Sequence, residues 1–216
     1  MRRMFDEHEK RRVISLDGAW DFVTDPDGVG EEQKWYEELP EGTIHMEVPS
    51  CWNNTLGLLE YEGAAWYSRD FYSEGGCVRL LFGAVMTEAT VWLDGEKLGD
   101  HYGGFTAFQF LAVLDEGYHT LTVRVDNRFD ADSIPQTKVD WYHYGGIVRG
   151  VDVEYLRDLS VLSCHLDYKL NETRDTAEVV VRALVSSSST YSPTSSSVAL
   201  STSGTATSVP VMGLSR

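Results

Sequence analysis

The stretch ATVWLDGEKL, Ala89–Leu98, decides the fold class. Ala89, Val91 and Leu93 alternate with Thr90 and Trp92, the two-residue period of a strand with one apolar face. Asp94-Gly95 then offers the positive-φ pair that closes a tight hairpin. Further along, Leu121, Val123 and Val125 alternate with Thr122 and Arg124 in the same way, which predicts one buried and one wet face. WYSRDFY (Trp66–Tyr72) and CVRLLFG (Cys77–Gly83) are expected to be two more strands, separated by a turn at Glu74-Gly75-Gly76. Helical periodicity with caps at both ends is missing, and the best helical candidate is a turn or two between Glu31 and Glu37. Many short strands punctuated by Gly, Asn and Asp predict an all-β chain built on an antiparallel sandwich or jelly roll.

Three zones follow from this pattern. Residues 1–157 hold the run of strands and are expected to form the jelly-roll sandwich. Residues 158–185 contain two further strand patterns, LSVLSCHLDYKL (Leu159–Leu170) and AEVVVRALV (Ala177–Val185), joined by the polar NETRDT (Asn171–Thr176). Two strands do not make a stable domain, so this zone reads as the start of a second β domain. Residues 186–216 are different in kind: 17 of these 31 residues are Ser or Thr and Arg216 is the only charge, so the acidic balance lies wholly upstream. Disorder is the expectation there, with scattered Val, Leu and Met leaving weak strand formation open. A Ser/Thr-rich stalk belongs outside the cell, so departure from the second domain by truncation or a shifted reading frame is the simpler account.

Charge narrows the partners. A formal net charge of −16 argues against nucleic acid and anionic membrane surfaces, which need a basic face, and favours neutral or hydroxyl-rich ligands. Cys51, Cys77 and Cys164 are odd in number and widely spaced, which indicates neither a disulfide framework nor a zinc site but three reduced, mostly buried thiols. The charged amino terminus MRRMFDEHEKRR is followed by no apolar run of signal-peptide or membrane-helix length, so a cytoplasmic protein is expected.

One segment is too irregular to be a strand. IPQTKVDWYHYGGIVR, Ile134–Arg149, gathers aromatics, a Gly-Gly pair, Asp140 and His143, the composition of a long functional loop that ends in a strand. Asp140 can accept hydrogen bonds from a hydroxyl-rich ligand or cap backbone amides, and residues alone favour the cap. Trp141, Tyr142 and Tyr144 can stack on the apolar face of a ligand or serve as core and interface residues, the commoner use. Gly145 and Gly146 suit close backbone approach. No cofactor is expected. The histidines lack metal-site spacing, and Asp126, Asn127, Asp130 and Asp132 form an oxygen-rich loop without the Gly and terminal Glu of a calcium hand. A Gly-x-Ser-x-Gly elbow is also lacking. Trp20, Trp52, Trp66 and Trp92 are read as core, and the sequons at Asn53 and Asn171 carry little weight.

Taken together, seven segments resemble the amino-terminal sugar-binding domain of glycoside hydrolase family 2, most nearly that of the β-glucuronidases: LDGAWDF (Leu16–Phe22), VPSCWNN (Val48–Asn54), WYSRDF (Trp66–Phe71), RLLFGAV (Arg79–Val85), VWLDGEKLGDHYGGFTAF (Val91–Phe108), LTVRVDN (Leu121–Asn127) and DWYHYGGIVR (Asp140–Arg149). They occur in the family's order over residues 12–160. The resemblance implies a galactose-binding-like jelly roll, then an immunoglobulin-like sandwich entered at YLRDLSV (Tyr155–Val161), then a catalytic barrel, with homo-oligomers among full-length relatives. It makes Asp140 the carboxylate of a loop that extends to the barrel's active site and contacts the sugar, with Trp141 and Tyr144 as further substrate-binding candidates. Retaining glycosidases need two carboxylates about 5–5.5 Å apart, and in this family both are barrel glutamates; a barrel takes about 250 residues. The 216 residues leave no room for one, so no catalytic residue is assigned. Asn171-Glu172 echoes the family's Asn-Glu-Pro motif, but Thr173 replaces the proline and the pair lies in a polar turn. The expected function is therefore the sugar-binding portion of a β-glucuronidase-like glycosidase, inactive alone. A free-standing carbohydrate-binding module is the alternative, and a poorly folding fragment a third.

Overall fold

Strand period, not helix period, runs through the residues that the computed structural model describes, 12–129, 133, 140, 142–157, 159–174, 176–187 and 205–210. The strands are β1 (Arg12–Ser15), β2 (Gly18–Asp25), β3 (Ile44–Val48), β4 (Ala64–Phe82), β5 (Val85–Met86), β6 (Glu88–Leu93), β7 (Glu96–Tyr102), β8 (Phe108–Asp126), β9 (Gly146–Ile147), β10 (Val151–Tyr155), β11 (Leu159–Leu170), β12 (Thr176–Ser187) and β13 (Thr205–Pro210). Among the described residues the one helical element is a 3-10 turn at Trp52–Asn54, and no helix is long and apolar enough to cross a membrane. The helical candidate at Glu31–Glu37 is a succession of turns, closed by Trp35 N to Gly30 O at 2.8 Å and Glu37 N to Lys34 O at 2.8 Å. The chain divides into two compact units, Met1–Tyr155 and Leu156–Arg216.

In the first unit the antiparallel order is β1-β10-β4-β8-β6-β7, with β2 pairing both β4 and β3. The expected turn at Glu74-Gly75-Gly76 does not reverse the chain. The two predicted strands are one, β4, paired along its length with β8 from Ala64↔Asp126 to Phe82↔Phe108. Gly75 at φ 79° and Gly76 at φ 109° let the strand bend where a Cβ on Gly75 would stand 3.1 Å from Glu116 N. The bend divides the ribbon between two layers. Its first half pairs with β2 (Asp21↔Ser68) and β6 (Val91↔Val123), its second half with β10 (Leu80↔Val153).

Residues from both layers meet in one core: Trp20, Phe22, Tyr67, Val91 and Val123 from one side, Val78, Leu80, Phe82, Val151 and Val153 from the other. Alternation places Trp66, Trp92 and Thr122 on the opposite face, expected to be wet from Thr122 and Arg124 although Trp66 and Trp92 are read as core. That face is covered instead, and Thr122 and Trp92 are buried. The Gly30–Glu37 turns fold over it, stacking Tyr36 on Trp92 (5.5 Å, 9°) and setting Trp35 edge-on to Trp66. Asp25 ties this cover down, accepting from Trp66 Nε1 at 3.0 Å and from the amides of Val29 and Gly30 at 2.8 and 2.9 Å. All four tryptophans read as core are buried, but Trp66 and Trp92 belong to this outer layer. On the far side of β4, Arg79 and Glu154 face each other across the β4–β10 register as an ion pair whose side chains are 8% and 3% exposed.

The second unit is a three-stranded antiparallel sheet in the order β11-β12-β13. Asn171 opens the β11–β12 turn, its carbonyl accepting Arg174 N at 3.1 Å, so Asn171-Glu172 is a hairpin tip. Of the tail expected to be disordered, Ser186 and Ser187 end β12, and Thr205–Pro210 pairs with Thr176–Val181 as β13. The other tail residues, 188–204 and 211–216, lie outside the described ones. The thiols differ from expectation: Cys51 and Cys77 are half-buried and Cys164 is exposed, because Cys77 projects from the outer side of β4 and Cys164 from an uncovered strand.

Candidate functional site

Two motifs distant in sequence lie side by side. VPSCWNN leaves β3 and enters the 3-10 turn, and the glycines of YHYGGIVR return antiparallel beside it: Ser50 N donates to Ile147 O and Trp52 N to Gly145 O, both at 3.0 Å. Gly145 is required by proximity, since a Cβ there would stand 2.1 Å from the Trp52 ring. Gly146 is required twice over, by φ 130° and by a Cβ position 2.9 Å from both Ser50 O and Tyr67 Oη. Burial pushes the Tyr67 phenol well above the usual tyrosine range.

Asn53 is the clamp between these segments. Its Oδ1 accepts Gly145 N at 2.9 Å, while Nδ2 donates to the carbonyls of Leu58 and Leu59 at 3.1 Å and Tyr61 at 3.3 Å. One buried amide thus binds the 55–61 loop to the end of the candidate loop. Tyr142 adds a second tie through its hydroxyl, which donates to Leu59 O. Tyr61 backs the arrangement, packing edge-on against Trp52 and donating to Ala64 O at 2.5 Å; burial pushes its phenol up to about 12.

The other end of the loop leaves β8 through Asp126, Asn127, Arg128 and Phe129. Asn127 Oδ1 accepts Gly63 N at 2.9 Å. His143 reaches back across the loop's neck, stacking on Phe129 (4.0 Å, 26°) and hydrogen bonding through Nε2 to Asn127 O. Asp126 is committed to guanidinium groups, accepting Arg128 Nε and Arg124 NH2 at 3.0 Å. Burial alone would raise its pKa, but the Arg128 and Arg124 contacts outweigh burial and hold the carboxyl below the usual range. That commitment removes Asp126 from the calcium reading. Asp130 and Asp132 lie outside the described residues, and no group of His, Cys, Asp and Glu fit for a metal occurs among the described ones.

Of the three sequence-derived site residues, Asp140 is exposed at a bend, Tyr144 is half-buried before Gly145, and Trp141 lies outside the described residues. Tyr142, 51% exposed, is the more open aromatic. Partial desolvation, then Glu60 and Glu62, raise its phenol's pKa. The loop therefore presents an acceptor carboxylate and a phenol on a neck fixed by His143 and Asn53. Sequence reasoning assigns Asn53 only to a sequon, and its burial in the clamp gives it a different job. The remaining signal was its place inside VPSCWNN.

Known proteins share this frame. No family model matches the chain. A β-glucuronidase from Paenibacillus borealis is 29% identical over 175 residues, 76% of this chain and 29% of that protein. The β-glucuronidase of Canis lupus familiaris is 34% identical over 201 residues, 72% of this chain and 31% of its own length. A solved family 2 β-galacturonidase from Eisenbergiella tayi, bound to glycerol, superposes over 99% of this chain and 39% of its own with a TM-score of 0.72 at 27% identity. These likenesses all point to the amino-terminal part of glycoside hydrolase family 2 enzymes. The chain's jelly-roll sandwich matches the amino-terminal β-sandwich of these enzymes. The chain spans about a third of the length of the β-glucuronidases it matches. A Ruminococcus gnavus β-glucuronidase solved in complex with D-glucuronic acid gives a TM-score of 0.71 at 27% identity, over 83% of this chain and 35% of its own.

Proposed function

We propose that this chain is the sugar-binding portion of a cytoplasmic, homo-oligomeric β-glucuronidase-like glycosidase, in which the Asp140 loop completes a substrate pocket whose catalytic glutamates lie in another domain. One observation carries the reading: the loop's neck is fixed by Asn53, His143 and the packed Gly145-Gly146 pair, while Asp140 is left exposed. An exposed carboxylate next to a fixed neck can accept charge-assisted hydrogen bonds from sugar hydroxyls. Support for a uronic sugar comes from the relatives, one of which is solved with D-glucuronic acid.

Exchange of the matching segment of the Ruminococcus gnavus enzyme for this chain tests the proposal. The exchanged enzyme should hydrolyse an aryl β-glucuronide, and Asp140→Asn should lower kcat/KM by about tenfold to a hundredfold, the loss of one or two charge-assisted hydrogen bonds. Unchanged kinetics would remove Asp140 from the site. By itself the chain should show no turnover; turnover abolished by Glu172→Gln would overturn the placement of catalysis. Saturable binding of D-glucuronate to the chain alone, lost in Asp140→Ala, would instead favour a free-standing binding module.

A further inference from the structure

His119 lies on β8, outside the Asp140 loop and its neck. It sits in β8 opposite Phe71 of β4, with a side chain 12% exposed. Nδ1 is 2.6 Å from Asp94 Oδ2, and Nε2 is 3.0 Å from the carbonyl oxygen of Asp115. Both partners are acceptors only, so both contacts are hydrogen bonds only when the ring carries two protons. A neutral ring has one N–H and must turn a lone pair toward one of the oxygens.

Asp94 links this ring to the tip of the β6–β7 hairpin. It holds φ 52° there, its Oδ1 accepts Thr120 N at 2.8 Å, and its own amide donates to Thr120 O at 2.9 Å. The charges that act on the ring are acidic, Asp94 from the turn and Asp115 from β8, while Asp70 of β4 accepts Thr120 Oγ1 at 2.7 Å. Glu37, beside Gly95 from the covering turns, is paired with Lys34. Phe71, 5.9 Å from the ring, is apolar.

We propose that His119 is a proton-operated latch, which fastens the β6–β7 turn to β8 when charged and loosens it when neutral. Partial burial by itself lowers the ring's pKa, but the hydrogen bonds to Asp94 and Asp115 outweigh it and the net shift is upward. A raised folded-state pKa fixes the sign. The latch is fully engaged below the unfolded histidine value of about 6.5 and is lost as pH rises through the folded value. Each unit of separation between the two values is about tenfold in the opening equilibrium.

NMR titration of the 216-residue chain reads the latch directly. His119 should titrate above its value in the urea-unfolded chain, and Asp94→Asn should pull it down. Asparagine keeps an acceptor for Thr120 N and tolerates positive φ, so this variant should fold. The Thr120 amide should lose hydrogen-exchange protection across the same titration, after correction for intrinsic rate, and show no such step in His119→Phe. A His119 pKa at or below the unfolded value, or one unmoved in Asp94→Asn, overturns the proposal. Thr120 protection that stays constant through the wild-type titration overturns it equally.

Discussion

The two units of this chain use the same strand grammar and reach opposite results. In the first, apolar residues at every second position face a second layer, and Trp20, Phe22, Tyr67 and Leu80 are buried. In the second, β11 and β12 alternate as cleanly, yet Leu166, Tyr168 and Leu170 are exposed and Leu162 and Ala177 are the buried apolar side chains among those described. Alternation makes a strand; only an opposing layer makes a core.

Ion pairs repeat the contrast and give its sharpest test. Arg79–Glu154 is a cross-strand pair with both side chains buried, whereas Arg182–Asp167 is a cross-strand pair with both exposed. Arg79→Ala should cost about 3–5 kcal/mol in a urea melt, because it takes a guanidinium partner from the buried Glu154 carboxylate. Arg182→Ala should leave the same melt unmoved. A small loss from Arg79→Ala would mean that the first unit is far wetter than its packing indicates.

Apolar truncations should follow the same order. Phe22→Ala opens a hole between Trp52 and Tyr67 and should cost about 3–5 kcal/mol. Tyr168→Ala, from a side chain 67% exposed, should fall below about 0.5 kcal/mol. Equal losses would show that the second unit has a covered core in solution. Gly145→Ala pushes a methyl into the Trp52 ring and should cost about 1–3 kcal/mol, read as a lower urea midpoint with altered near-ultraviolet signal from Trp52.

Acid provides the gentlest probe. The Asp126 carboxyl is held below its ordinary value, so its contribution is present above the unfolded aspartate pKa of about 3.9 and disappears as pH falls through the folded value. Asp126→Asn should flatten that acid limb of the stability profile. An unaltered limb would assign acid sensitivity to other carboxylates.

Much of this was legible in the residues. The hairpin at Asp94-Gly95, the inward Leu121, Val123 and Val125, and the polar turn at Asn171 follow from local alternation and turn chemistry. The continuity of β4 was hidden, because Glu74-Gly75-Gly76 reads as a turn until β8 is seen passing on one side. So was the cover over Trp66 and Trp92, which depends on where Trp35 and Tyr36 come to rest. At the candidate site, the glycines and Asp140 could be marked from composition and resemblance. The Asn53 clamp could not, since its four partners lie between 5 and 92 residues away. Hydrogen-bond closure over such spans leaves no periodic trace in a sequence.

The unbroken ribbon of β4 and β8 has a consequence for cutting the chain. Everything from Gly83 to Ala107 connects the two arms, and within it Phe105 stands exposed beside Gly103 and Gly104. A single nick there would separate the covalent halves but leave the long β4–β8 ladder and both its layers in register. The first unit is thus suited to be expressed as two complementary fragments that reassemble on mixing, each holding one arm of the seam that binds the other.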